Sequence, residues 1–238
     1  MGVLVAIEGI DGAGKGTQAE LFCKRAKAEG ITCTVLSFPR YGENAFAEGI
    51  AAYLNGDFGS SDSVHGKLAS LLYAGDRYAT RPALMSALQG NEVVVCDRYV
   101  ASNMAHQAAK LPQEERDDFI AWLGEIEFGI YQMPKPELTV LLDMPLQAAR
   151  QLVRSKDVRG YTSLEEDIHE KDHEFMSSSR EVFLALADAQ AEGAWARIGC
   201  GQAPGVPRPG ASIATDVWNA VSPLIAPSAR RLAPDRAG

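Results

Sequence analysis

A chain of 238 residues with 46% hydrophobic and 23% charged residues is long enough to bury the core of one α/β domain, and this composition excludes disorder over its main body. The formal net charge of −8 argues against non-specific binding along a nucleic-acid backbone, so a polyanionic ligand must be met by a local basic site. No apolar stretch suits a membrane span, no secretory signal is visible at the N-terminus, and Cys23, Cys33, Cys96 and Cys200 show no disulfide framework or zinc-ribbon spacing, which makes a reducing, cytoplasmic compartment the default.

The first informative stretch is Val3 to Glu20. Val3 to Ile7 is an apolar run suited to a buried parallel strand, and a glycine-rich turn follows: Gly9, Ile10, Asp11, Gly12, Ala13, Gly14, Lys15, Gly16, Thr17. Such a turn places backbone N–H groups around an anion at the start of a helix, and Lys15 is spaced to reach the transferring phosphates of ATP. The residue after the lysine is Gly16 rather than Ser or Thr, so the hydroxyl that would touch magnesium is missing there and Thr17 stands one place late. An ordinary glycine turn lacks the ordered strand, turn, lysine and helix. A dinucleotide fingerprint would need glycine where Thr17 stands.

Ala19, Phe22 and Ala26 recur at helical spacing up to Gly30, and Ile31 to Phe38 reads as a second strand. It ends at Phe38-Pro39-Arg40, where proline forbids a central ladder and leaves Arg40 on a ligand-facing loop. Helices are expected over 44–54 and 64–88, the second interrupted at Pro82. Glu92 to Cys96 is a third strand that terminates in Asp97-Arg98-Tyr99. Asp97 suits magnesium or its waters and Arg98 a phosphate; the plainer role for Asp97 is to cap the next helix.

An amphipathic helix over 113–132, with Phe119, Trp122, Leu123, Ile126 and Ile130 near one face, supplies core or a dimer surface. Leu138 to Leu142 is a fourth strand, and the helix begun at Asp143 and Pro145 ends in the basic stretch Arg150, Arg154, Lys156 and Arg159. Residues 163–187 form a further helix, Trp195 to Ile198 a fifth strand, 199–210 a surface loop and 213–225 a closing helix, before a frayed tail over 227–238. Strands alternating with helices predict a parallel sheet covered on both faces, in a single domain over 1–226.

The nucleotide loop, Phe38-Pro39-Arg40, Tyr73 with Arg77, Asp97-Arg98-Tyr99 and the basic segment after 150, in that order, resemble the thymidylate kinases over about residues 3–225. The resemblance implies a P-loop fold with a five-stranded parallel sheet, a mobile lid over about 150–172, and transfer of the γ-phosphoryl of ATP, with Mg2+, to thymidine monophosphate on the way to dTTP. It implies that Lys15 and the loop amides of residues 9–17 hold ATP, that Arg40 and Arg98 hold the acceptor phosphate beside Phe38 and Pro39, and that Asp11 lies near the sugar hydroxyl and the metal. Tyr73 takes the place of an aromatic stacked on thymine and Arg77 that of a residue bonding its edge. Ser102 and Asn103 stand where the pyrimidine is read, and His106 stands against the deoxyribose. Because the loop carries Gly12 where some members have arginine, a catalytic cation is expected from Arg154 or Arg159. Gly16 shifts metal support to phosphates, waters and Asp97, with Thr17 a weak second. The family is usually dimeric, and 64–88 and 113–132 are candidate faces.

Two other classes compete. His169-Glu170-x-x-His173 matches a zinc-hydrolase pattern, yet charge surrounds it from Glu165 to Glu174 where a catalytic zinc needs a supported, partly dry cavity. A nucleotide-dependent switch would need only the glycine loop, whereas Arg40, Arg77 and Arg98 imply a second anion site. Another nucleoside monophosphate kinase is the nearest alternative.

Overall fold

The computed structural model describes residues 1–59, 63–154, 173–203 and 205–225. Five apolar runs form one sheet: β1 Val3–Glu8, β2 Cys33–Ser37, β3 Val93–Asp97, β4 Leu138–Asp143 and β5 Trp195–Gly199, in the spatial order β2-β3-β1-β4-β5. Every pairing is parallel, with Ala6 beside Cys96 and Thr139, and Leu36 also beside Cys96. Helices cover both faces, so Leu4 to Ile7, Val93 to Cys96 and Val140 to Leu142 are each buried, which is why these strands read as unbroken apolar runs rather than alternating ones. The three central strands each close on an acid, Glu8, Asp97 and Asp143, all at the carboxyl edge of the sheet where open α/β folds bind ligands.

The helices are α1 Lys15–Ala28, α2 Ala45–Leu54, α3 Gly66–Gly90, α4 Val100–Ala108, α5 Gln113–Gly124, α6 Leu146–Arg154, α7 His173–Asp188 and α8 Gly210–Val221. Asn44 caps α2 with its side-chain oxygen accepting from the Ala47 N–H at 3.0 Å. The closing helix α8 packs on α1 through Phe22 and Trp218, whose ring centres lie 5.3 Å apart.

The structure departs from the sequence expectations in several places. The third helix is not interrupted at Pro82: α3 runs through it, because Pro82 sits on the exposed face while Arg77, Leu84 and Leu88 keep the buried face continuous. The helix expected over 113–132 is α-helical only to Gly124, after which Glu125–Ile130 widens into a π-helical segment. The loop over 199–210 contains a small antiparallel hairpin, β6 Gly201–Ala203 with β7 Val206–Pro207.

Cys23 and Cys33 form a disulfide, their Cα atoms 5.4 Å apart. The turn between α1 and β2 folds the two residues onto each other, which linear spacing does not reveal, and the pairing removes cysteine spacing as an argument about compartment. No described helix is long and apolar enough to cross a membrane. Arg159, Lys156, most of the expected lid, His169, Glu170 and the tail over 227–238 lie outside the described residues, as does the side chain of Arg154.

Candidate active site

The loop between β1 and α1 turns at Gly9, Gly12 and Gly14, with φ of 144°, 79° and 88°. Gly12 is required twice over: its φ is left-handed, and a Cβ there would collide with the carbonyl oxygen of Ala149 in α6. Lys15 opens α1 and is buried, its Nζ donating to the carbonyls of Gly9 and Ile10, both at 2.9 Å. Burial, helped by the charge of Arg98 and opposed by Asp11, Asp97 and Glu8, lowers its pKa to about 7. Its Nζ therefore rests against the loop's own backbone. A Cβ on Gly16 would stand 2.9 Å from Asp97 Oδ2, so the carboxylate at the end of β3 faces the start of α1 directly.

Arg98 has φ 66°, a left-handed conformation unusual for a side chain of its size. The conformation is held from three sides: its backbone N–H bonds the Ile7 carbonyl at 3.1 Å, its guanidinium pairs with Asp11, and Nη1 lies 3.3 Å from His106 Nε2. Burial works against its charge, but the carboxylates of Asp11, Asp97 and Glu8 outweigh that and raise its pKa further, so it stays cationic. His106 is neutral, its pKa pushed down to about 3 chiefly by burial. The ring is packed against Phe175 at 5.9 Å and Phe183 at 5.7 Å, and Nδ1 lies 3.3 Å from the Ser179 hydroxyl.

Glu8 organises this edge. Fully buried at the end of β1, it accepts from the N–H groups of Tyr99 at 2.7 Å and Ser102 at 3.1 Å, and from the Ser102 hydroxyl. Tyr99 stands at the N-cap of α4 without a side-chain cap of its own, so Glu8 caps that helix from another strand. Asp97 does not serve as the cap. Burial pushes the Glu8 carboxyl up from its ordinary value, against the hydrogen bonds and the charges of Arg98 and Lys15.

A cleft of about 320 Å³ runs from Asp11, Gly12, Lys15 and Gly16 past Asp97 and Arg98 to Phe38, Pro39, Tyr73, Arg77, Ser102, Asn103 and His106. Nearly all the residues expected to bind phosphate, sugar or base thus share one wall-to-wall space. Arg77 is no surface charge: it is buried and paired through Nε, at 3.0 Å to each oxygen, and Nη2 with the buried Glu127 of the π-helical segment. Asn103 donates through Nδ2 to the Ser70 carbonyl at 3.0 Å and to Glu127 at 3.3 Å, while its buried Oδ1 has no hydrogen-bond partner among the described residues.

Of the expected residues, Gly9, Ile10 and Ala13 are buried within the loop without lining the cleft, and two more stand apart. The Arg40 guanidinium is on Glu43, at 3.0 and 2.7 Å, rather than in the cleft, and Thr17 is exposed on α1 and does not line it. The Ser102 hydroxyl, expected to read a base, is committed to Glu8 although the residue lines the cleft. Sequence reading missed Glu8 and Glu127, and also Asp76, which accepts from the Arg40 N–H at 3.1 Å and Asn44 Nδ2 at 2.7 Å and so ties the turn after β2 to α3. An acid closing an apolar strand was the available signal for Glu8; Glu127 had only its place between Ile126 and Phe128 in an otherwise apolar face.

A parallel five-stranded sheet whose first strand feeds a glycine loop and lysine, at the head of a cleft lined by Arg98 and Arg77, has the build of a P-loop nucleoside monophosphate kinase. A family profile described as Thymidylate kinase matches residues 7–198. The chain is 35% identical over 209 residues to the thymidylate kinase of Mycobacterium tuberculosis H37Rv, covering 85% of this chain and 94% of that one. It is 30% identical over 194 residues to a probable thymidylate kinase of Thermococcus gammatolerans, covering 79% and 84%. The chain belongs to the thymidylate kinase family. The solved thymidylate kinase of Candida albicans shares the fold with a TM-score of 0.68 at 20% identity, over 94% of this chain and 92% of that one.

Replacing Glu8 by glutamine leaves one acceptor where three donors converge, and is expected to cost about 1–3 kcal/mol of stability. Urea unfolding measures it; a loss below about 0.5 kcal/mol, the range of ordinary surface changes, would mean the α4 donors find other partners.

Proposed function

We propose that the cleft transfers the γ-phosphoryl group of MgATP to thymidine monophosphate, giving the diphosphate. The observation that carries the acceptor assignment is the pair formed by Asn103 Oδ1 and Arg77. One is a buried acceptor with no partner and the other a buried cationic donor, side by side on the cleft wall. An N–H beside a C=O, the edge thymine presents, satisfies both; cytosine in the same pose sets a bare ring nitrogen against the Asn103 oxygen and an amino group against Arg77, and satisfies neither. Phe38, Pro39, Leu54 and Tyr73 supply the apolar surroundings that a ring and its methyl group need. His106, neutral and clamped by two phenylalanine rings, crowds the sugar and favours deoxyribose.

Phosphoryl transfer asks mainly for positioning and charge neutralisation, and the chain's cations are placed for both. Lys15 and the loop amides bind the β- and γ-phosphates of ATP. Arg98, held in place by Asp11, binds the acceptor phosphate from the opposite side. Arg40 joins it by leaving Glu43, an exposed pair whose release costs little. Arg154 or Arg159 supplies the remaining cation. The Asp97 carboxylate faces the start of α1 and accepts no hydrogen bond from a described residue, which suits a magnesium ion that keeps most of its waters and phosphate ligands. Such an ion, when bound, would neutralise part of the phosphate charge. The family membership does not favour the zinc-hydrolase alternative.

A cytoplasmic homodimer is part of this reading, with exposed Leu68, Tyr78 and Ile130 as contact residues; sedimentation at a monomer's mass would remove the dimer.

A coupled assay across nucleoside monophosphates tests the assignment: thymidine monophosphate is expected to exceed dCMP in kcat/KM by at least about a hundredfold, the scale at which a site leaves buried polar groups unpaired. Equal rates would leave a kinase of another monophosphate. Lys15 adds a pH signature. With its pKa near 7 in the free protein and raised by bound phosphates, it takes up a proton on ATP binding, and the uptake grows as pH rises above 7. ATP affinity is therefore expected to fall from pH 6 to pH 9, by about tenfold per pH unit at most. Titration calorimetry in buffers of different ionisation enthalpy measures the uptake; the same heat in every buffer at pH 8 would rule it out.

A further inference from the structure

The orientation of Asn103 is not free. Its Nδ2 faces two acceptors, the Ser70 carbonyl at 3.0 Å and Glu127 Oε1 at 3.3 Å. Turning the amide over would set oxygen against both, so Oδ1 is the atom left without a partner. Arg77 is fixed by the same carboxylate, which takes Nε at 3.0 Å on each oxygen and Nη2 on one, while Nη1 makes no hydrogen bond with a described residue. One buried acid therefore decides which atoms of two neighbouring side chains remain for a ligand. It is delivered by the π-helical segment Glu125–Ile130, whose wider turn carries Glu127 against α3, the helix that bears Arg77.

We propose that Glu127 is the positioning residue for base selection: by holding Arg77 and Asn103 from behind, it makes the cleft present a donor beside an acceptor and thereby selects an imide-type pyrimidine over an amidine-type one. The inference rests on the thymidylate reading given above. Glu127 touches neither substrate nor phosphate. Its effect is on which base is accepted, and it leaves the ATP side of the site alone.

Glutamine at this position brings its own N–H groups toward Arg77 or Asn103. The Ser70 carbonyl still holds the Asn103 amide, so the contact is relieved by Arg77 drawing back, which removes the donor that answers the thymine carbonyl. In the full chain, Glu127→Gln is expected to lower the ratio of kcat/KM for dTMP over dCMP by at least about tenfold, carried by the acceptor KM, with the KM for ATP changed by less than about twofold. A merely structural role would weaken both acceptors alike and leave the ratio unchanged, which would overturn the proposal. Because removing one partner of a buried ion pair can unfold a protein, the double variant Arg77→Met with Glu127→Leu is measured alongside, since apolar replacement of such a pair is usually tolerated. A folded double variant that keeps the wild-type ratio would also overturn it. Asn103→Ala separates the two levels of the argument. If that variant loses discrimination while Glu127→Gln keeps it, the thymidylate reading stands and the role of Glu127 fails; if the unmodified protein does not distinguish dTMP from dCMP, both fail together.

Discussion

A single buried carboxylate ties the phosphate-binding loop to the helix that faces the acceptor. Glu8 ends β1, one residue before the glycine loop begins, and its oxygens gather the first N–H groups and the serine hydroxyl of α4. The backbone N–H of Arg98 bonds the Ile7 carbonyl on the same strand, so residues 98 to 102 are stitched to β1 at successive points. A left-handed residue of this size costs of order 1–3 kcal/mol, and such strain persists only where the surroundings over-determine it. Here the strand, the Asp11 pair and the capped helix do so together. The glycine loop and the α4 wall of the cleft are thus both referenced to one strand.

Around that frame the charges are arranged to be nearly self-satisfied until a ligand arrives. Lys15 rests on loop carbonyls, Arg98 on Asp11, Arg40 on Glu43, and the Asp143 carboxylate at the end of β4 takes both Arg180 and Arg197. A chain with a net charge of −8 holds a polyanion only by concentrating cations locally, and a set of cations without partners in so small a space would repel one another. Parking each on a carboxylate or carbonyl resolves the conflict.

The readable parts of the chain were those whose cause is local. Parallel strands covered on both faces need continuous apolar runs, so five of them could be placed within a residue or two. The glycine loop was legible because backbone geometry and anion binding both demand glycine at set intervals. What stayed hidden depends on partners distant in sequence. Glu8 and Tyr99, Arg77 and Glu127, and Arg40 and Asp76 are separated by tens of residues, and no periodicity marks them. Proline at 82 misled because its cost depends on whether the lost hydrogen bond faces solvent, which only packing decides. The cysteine pair misled because spacing of ten residues means nothing until a helix reverses into a strand.

Gly12 shows how a residue read as an absence becomes a positive constraint. In the sequence it marked only that the loop lacks an arginine. In the fold its left-handed φ and the Ala149 carbonyl against its α-carbon leave no room for any side chain, so an arginine there would demand both a strained backbone and a retreat of α6. The loop consequently packs backbone to backbone on the helix that leads into the basic segment after residue 150. The missing side chain is therefore the consequence of one packing contact, between the loop and α6.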